Sequence, residues 1–167
     1  VNFELTFGEQ YPGLFRYCHS LTGDPDLADD LAQETFVRLY DRRVGGTDEG
    51  LRAWLFRTAT HLVRDEHRAG ESHRRLLEAH PVRPGGSEPP DEAVQRREQV
   101  APVREALGHL TEREREILLM RHGGFSYSEI ADAVGVAPSS VGTLLARAER
   151  NFVNVYIAPR ENDDTSR

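Results

Sequence analysis

The sequence predicts an all-α chain: two small helical domains joined by a flexible Pro/Gly linker, the C-terminal one containing a helix-turn-helix. Three observations lead there. Apolar residues recur at helical spacing in both halves, with no alternating strand pattern. Residues 81–92 hold four of the nine prolines and almost nothing apolar, a composition that favours extended, exposed chain. A length of 167 residues with 38% hydrophobic content suits two small cores better than one large core. The expected division is a first domain over 1–80, a linker over 81–98, a second domain over 99–158 and a polar tail over 159–167.

Taken in order, Gly23-Asp24-Pro25 forms a turn, and Asp26 is the expected cap of the helix that follows. Ala28, Leu31, Ala32, Thr35, Phe36 and Leu39 then place one apolar face inward. Asp29, Asp30, Gln33, Glu34 and Arg38 face outward. A polar, Gly-containing loop follows at 43–50. A second helix is predicted from about Leu51 to about Arg68, with Leu51, Trp54, Leu55, Thr58, Ala59 and Leu62 as its core face. On another face Arg57, His61, Arg64 and Arg68 recur at i, i+4, i+7 and i+11. Such a stripe can read phosphates and bases, or it can be a solvated arginine face.

The second half carries sharper signals. Thr111 with Glu114, and Ser126 with Glu129, are two capping boxes. The first opens a helix that buries Ile117, Leu118 and Met120 and stops at Gly123-Gly124. The second opens a short helix through Ile130, Ala131 and Val134. Gly135 then supplies a left-handed turn residue, and Pro138 starts another helix at its first position. That last helix buries Val141, Leu144, Leu145, Ala148 and Phe152, and presents Ser139, Ser140, Thr143, Arg147 and Arg150 outward. Short helix, Gly turn, Pro-started helix is the helix-turn-helix plan; a helical hairpin without a DNA role has the same outline.

Charge bounds the function. The 28 acidic residues against 21 basic ones give a net charge of −7, which opposes simple binding to nucleic acid. Every basic residue is Arg and none is Lys. Arg forks onto phosphate and guanine, although a GC-rich genome produces the same bias. Residues 1–51 hold ten acids and four Arg, whereas 52–75 hold six Arg and three acids. The change of sign within one domain suggests two surfaces with different partners. No run of about 18 apolar residues would span a membrane, and no secretory layout opens the chain, so a cytoplasmic location is expected. Cys18 is the only cysteine and reads as a small buried hydrophobe, with redox sensing the alternative. No zinc-ligand spacing appears, so neither metal nor cofactor is expected. His61, Asp65, Glu66 and His67 could be read as an acid/base or metal site. His67 points elsewhere on the helix and no nucleophile accompanies them, so no catalytic residue is expected.

Phe15-Arg16-Tyr17, Leu21-Thr22-Gly23-Asp24 and Ala28-Asp29-Asp30-Leu31-Ala32-Gln33-Glu34-Thr35-Phe36 together resemble the first conserved block of bacterial RNA polymerase sigma factors of the extracytoplasmic-function group. Arg52-Ala53-Trp54-Leu55-Phe56-Arg57-Thr58-Ala59 resembles the second block. Leu110-Thr111-Glu112-Arg113-Glu114-Arg115-Glu116, with Leu119-Met120-Arg121 and Phe125-Ser126-Tyr127-Ser128-Glu129-Ile130-Ala131, resembles the promoter-binding block. The resemblance covers about 3–80 and 100–155, in the family's order.

The resemblance implies a non-enzymatic protein that binds core RNA polymerase and directs promoter recognition and opening. By position, Asp30, Gln33, Glu34 and Arg38 would dock on the polymerase. Gly45, Gly46, Thr47 and Asp48 would form a pocket for a base flipped from the non-template strand of the minus-ten element. Arg57, His61, Arg64 and Arg68 would support that unpaired strand. Ser139, Ser140, Thr143, Arg147 and Arg150 would read the minus-thirty-five duplex. An anti-sigma regulator is implied as a further partner. The chain departs from the family where basic residues are common at the positions of Gly142 and Leu144, and where His61 replaces a common Asn. The rival reading is a helix-turn-helix regulator of duplex DNA that never docks on polymerase.

Overall fold

Seven α-helices make up the computed structural model, which describes residues 2–79 and 94–161. They are α1 (Phe3–Thr22), α2 (Pro25–Asp41), α3 (Asp48–Ala79), α4 (Val94–Gly108), α5 (Glu112–His122), α6 (Tyr127–Val134) and α7 (Pro138–Glu161). No strand occurs among the described residues. Most of the expected linker lies outside them, and α4 begins at Val94, within the stretch read as linker. The tail beyond Glu161 also lies outside.

Local chemistry sets the helix ends. Asn2 caps α1 through a bond from the Leu5 N–H (3.3 Å). Asp24, rather than the expected Asp26, caps α2: its Oδ1 accepts from the N–H groups of Asp26 (2.9 Å) and Leu27 (3.2 Å). Pro25 accounts for the difference, because its fixed φ and missing N–H suit the first helical position. Thr47 accepts from the Gly50 N–H (3.2 Å), so α3 starts at Asp48, earlier than expected. It also continues past Arg68. Both capping boxes form as read, Thr111 with Glu114 and Ser126 with Glu129. Gly124 and Gly135, at φ 84° and 76°, occupy conformations that a side chain would strain.

Helices α1–α3 form a first unit around Leu14, Tyr17, Cys18, Leu21, Leu51 and Leu55. The inward face of α2 is the set expected from its periodicity, Ala28, Leu31, Ala32, Thr35, Phe36 and Leu39. Full burial of each leucine contributes about 2 kcal/mol. The Tyr17 hydroxyl meets Thr60 Oγ1 at 2.8 Å and straps α1 to α3. Helices α4–α7 form a second unit around Ile117, Met120, Phe125, Ile130 and Val141.

The two units do not stand apart. Helix α3 packs on α6, α1 meets α5, and the buried residues of both units form one continuous cluster. Phe56 of α3 lies 4.7 Å, centroid to centroid, from Phe125 before α6. Helix α3 is therefore buried on two faces. Leu51, Leu55, Ala59 and Leu62 face the first unit's core as expected; Phe56, Thr60 and Val63 are also buried.

Candidate nucleic-acid interface

Four surfaces hold the residues singled out in the sequence. On α2, Asp30, Gln33 and Glu34 are exposed and Arg38 is half-buried. Side chains four apart on a helix are neighbours, and they pair here. Gln33 donates to Asp29 (2.7 Å) and Arg38 to Glu34 (2.7 Å). Tyr11 of α1 also donates to Asp29. The result is an acidic, water-facing ridge held in register by its own hydrogen bonds.

The loop after α2 does not gather its four residues into one pocket. Gly45 joins Phe3, Leu39, Tyr40, Arg43 and Val44 around an open cleft of about 320 Å³. Gly46 and Asp48 line a separate depression of about 200 Å³ beside the start of α1. Thr47 is occupied in capping α3. Arg43 has φ 48°, a conformation seldom adopted by residues with a side chain, at the rim of the larger cleft.

The basic stripe of α3 is the most heavily engaged of the four. The Arg57 guanidinium lies 2.6 Å from Asp132 of α6. Arg64 forks onto Glu116 of α5, with Nε at 2.7 Å and Nη2 on the second oxygen, and Nη2 also donates to the Val134 carbonyl (3.1 Å). Arg68 pairs within its own helix with Asp65 (3.5 Å), and His61 is exposed. His67, off the stripe, sits 2.7 Å from Glu112. The Glu116 side chain is fully buried and that of Arg64 is 17% exposed. Loss of water pushes the Glu116 carboxyl above its ordinary range, with Arg64 pulling against that rise. The carboxylate in turn holds Arg64 firmly charged.

On α7, Ser139, Thr143, Arg147 and Arg150 are exposed and Ser140 is half-buried. Arg147 is partly committed, donating to Glu114 (3.1 Å), which also accepts from Asn151 (3.0 Å). Burial pushes the Glu114 carboxyl up. The Thr111 N–H and hydroxyl, Arg147 and Asn151 outweigh it and hold the group below the usual carboxylate range. Gly142 faces Tyr127, whose ring also carries the Arg121 guanidinium 5.3 Å from its centroid. An apolar groove of about 530 Å³ lies elsewhere on the second unit, lined by Val103, Leu107, Leu118, Leu119, Phe152 and Val153 among others.

Sequence reading did not single out the seam between the units. Arg52 donates to the Gly123 carbonyl and lies 4.0 Å from the Phe125 ring centroid. Arg115 reaches the Leu21 carbonyl of α1 (3.2 Å) while also holding those of Leu107 (2.9 Å) and Leu110 (3.2 Å). The spacing of Phe56, Thr60 and Val63, at i, i+4 and i+7, was the available signal of a second buried face on α3.

Residues 7–73 match the family described as Sigma-70 region 2, and residues 101–152 match Sigma-70, region 4. The ferric citrate uptake sigma factor FecI of Escherichia coli is 33% identical over 150 residues, which is 89% of this chain and 87% of FecI. The ECF RNA polymerase sigma factor SigL of Mycobacterium tuberculosis is 29% identical over 147 residues, 86% of this chain and 82% of SigL. The fold is similar to that of the sigma factor RpoE solved with the anti-sigma factor NepR from Bartonella quintana. There the TM-score is 0.72 at 21% identity, over 92% of this chain and 96% of the other. It is also similar to CnrH solved with the cytosolic domain of CnrY, with TM-score 0.69 at 23% identity, over 93% and 88%.

Proposed function

The chain belongs to the sigma-70 family, as a sigma factor of the extracytoplasmic-function group, and from that premise we propose how its four surfaces divide the work of initiation. As an alternative sigma factor it directs promoter recognition with RNA polymerase. Sigma factors are not enzymes; the polymerase supplies the chemistry. We place it in the cytoplasm with that polymerase.

In this reading the ridge of Asp30, Gln33, Glu34 and Arg38 docks on core polymerase. The cleft bordered by Gly45, with Gly46, Thr47 and Asp48 beyond it, receives a flipped minus-ten base. Extracting a base costs a few kcal/mol of stacking, and a cleft flanked by Tyr40 and Arg43 offers stacking and hydrogen bonding in return. Arg57, His61, Arg64 and Arg68 hold the unpaired strand, and α7 enters the minus-thirty-five major groove with Ser139, Ser140, Thr143, Arg147 and Arg150. The net charge of −7 leaves the free chain a poor ligand for duplex DNA, so polymerase supplies much of the electrostatic attraction. Because two structural relatives are complexes with NepR and CnrY, a regulator of the anti-sigma type is the expected further partner.

One observation carries this reading above all: both family regions are present, in order, on opposite sides of the segment read as a linker. A helix-turn-helix regulator that never docks would leave 7–73 without a role. Run-off transcription with core polymerase on genomic fragments tests it. Initiation on addition of the chain is expected, and its absence, with no inhibitor present, would refute the assignment.

A further inference from the structure

Two arginines of the α3 stripe, Arg57 and Arg64, are covered by the second unit, chiefly by its carboxylates and also by the Val134 carbonyl. Asp132 takes Arg57, Glu116 takes both nitrogens of the Arg64 fork, and Glu112 takes the neighbouring His67. Carboxylates 2.6–2.7 Å from guanidinium nitrogens occupy the positions that phosphate oxygens take when arginine binds a strand. The aromatic contact of Phe56 with Phe125, and Arg52 stacked beside Phe125, close the same seam. The other faces stay open: Asp30, Gln33 and Glu34 on α2, and Ser139, Thr143 and Arg150 on α7, are exposed.

We infer that the second unit is an intramolecular lock on the strand-holding face of α3, with Glu116 and Asp132 standing in for the strand's phosphates and Glu112 closing the seam beside them at His67. The inference rests on the assignment of that face to the unpaired strand. Its consequence is an order of events. The closed chain presents its docking ridge and its duplex-reading helix but holds an open strand weakly, because Arg57 and Arg64 are engaged while only His61 and Arg68 stay open. Only separation of the units frees Arg57 and Arg64. Glu116 suits a lock that must release. It is fully buried here, and its carboxyl is raised by lost hydration, so part of the burial cost is returned when the units part.

The test uses the full chain and the triple variant Glu112→Gln, Glu116→Gln, Asp132→Asn, none of which lies in the proposed DNA or polymerase surfaces. Small-angle scattering reads compactness, and fluorescence anisotropy reads binding of a labelled single-stranded 20-mer of random sequence at low salt. The variant is expected to have a larger radius of gyration and to bind the strand about tenfold more tightly, as a shift from a mostly closed to a mostly open population requires. Equal compactness with equal affinity would overturn the lock. Expansion without a gain in affinity would also overturn it, since the covered face would then not be the strand site. If the triple variant is poorly folded, a charge swap decides. Glu116→Arg alone should expand the chain, and adding Arg64→Glu should restore compactness; failure to restore it counts against the lock. Run-off transcription by the unmodified chain, measured in parallel, reports separately on the sigma-factor assignment.

Discussion

Replacing Gly142 with Ala should stabilise the protein, an unusual direction for a substitution on a proposed recognition helix. Residue 142 lies inside α7, past its first turn, where glycine is about 1 kcal/mol less favourable than alanine because it loses more backbone freedom on folding. A β-carbon built there would meet only Tyr127 Cε2, at 3.6 Å, an ordinary contact that adds no clash. The expected gain is therefore about 1 kcal/mol, or roughly 3 °C in Tm for a cooperative unit of this size. Urea unfolding of the full chain, followed by circular dichroism at 222 nm, measures it. The midpoint should rise with an unchanged m value. A midpoint that stays or falls at constant m would show that helix propensity does not govern this position. Gly142→Arg should keep most of the gain, because Arg is also a good helix former, and place a cation beside Tyr127. Duplex affinity measured with core polymerase should then become more salt-sensitive, by about 0.9 in log–log slope if one more phosphate is neutralised.

Four further outcomes follow from buried groups. Glu114 is held below the ordinary glutamate value of about 4.3, so it contributes stability above that pH and loses it as pH falls through its lower folded value. The stability difference between wild type and Glu114→Gln should shrink as pH falls below the ordinary glutamate value and through the group's lower folded value. Glu116 has the opposite sign. Its raised carboxyl means that the native state holds the proton more tightly, so its contribution falls as pH rises through the range just above the ordinary value, a limb that Glu116→Gln should flatten. The Cys18 thiol is pushed up to about 12 by burial, so a thiolate-directed reagent at pH 8 should label it only at the rate of unfolding and immediately in denaturant. Tyr17→Phe should cost about 1 kcal/mol and no more, because Thr60 keeps its bond to the Phe56 carbonyl (2.7 Å). A loss above about 3 kcal/mol would contradict that account.

The helices were legible wherever a short-range rule determines them. Capping boxes, the Gly135 turn and the Pro138 start are encoded within four residues, and the α2 core face follows from its periodicity alone. The Asp24 cap was displaced by two residues because Asp26 is also a good capping type, and only the position of Pro25 in the first turn decides between them. The length of α3 was underestimated because its later turns, Arg68 onward, are polar and exposed through Leu76 and show no apolar stripe. The seam was least legible. Glu112, Glu116 and Asp132 look like ordinary solvated acids in sequence, and their partners lie 45 to 75 residues away. An ion pair between distant helices leaves no period to read. Phe56, Thr60 and Val63 did leave one, masked by the stronger stripe beside them.

Arg115 has a consequence for how the halves would come back together. Two of its three carbonyl partners, Leu107 and Leu110, belong to its own half, and only Leu21 lies across the gap. After parting, the guanidinium stays aimed by the two that remain, so most of the roughly 2 kcal/mol of rotamer freedom a loose arginine would forfeit is already surrendered. Its last bond can re-form by rigid approach, without a conformational search. If the inferred lock opens, this corner is a ready-set catch that would favour quick reclosure.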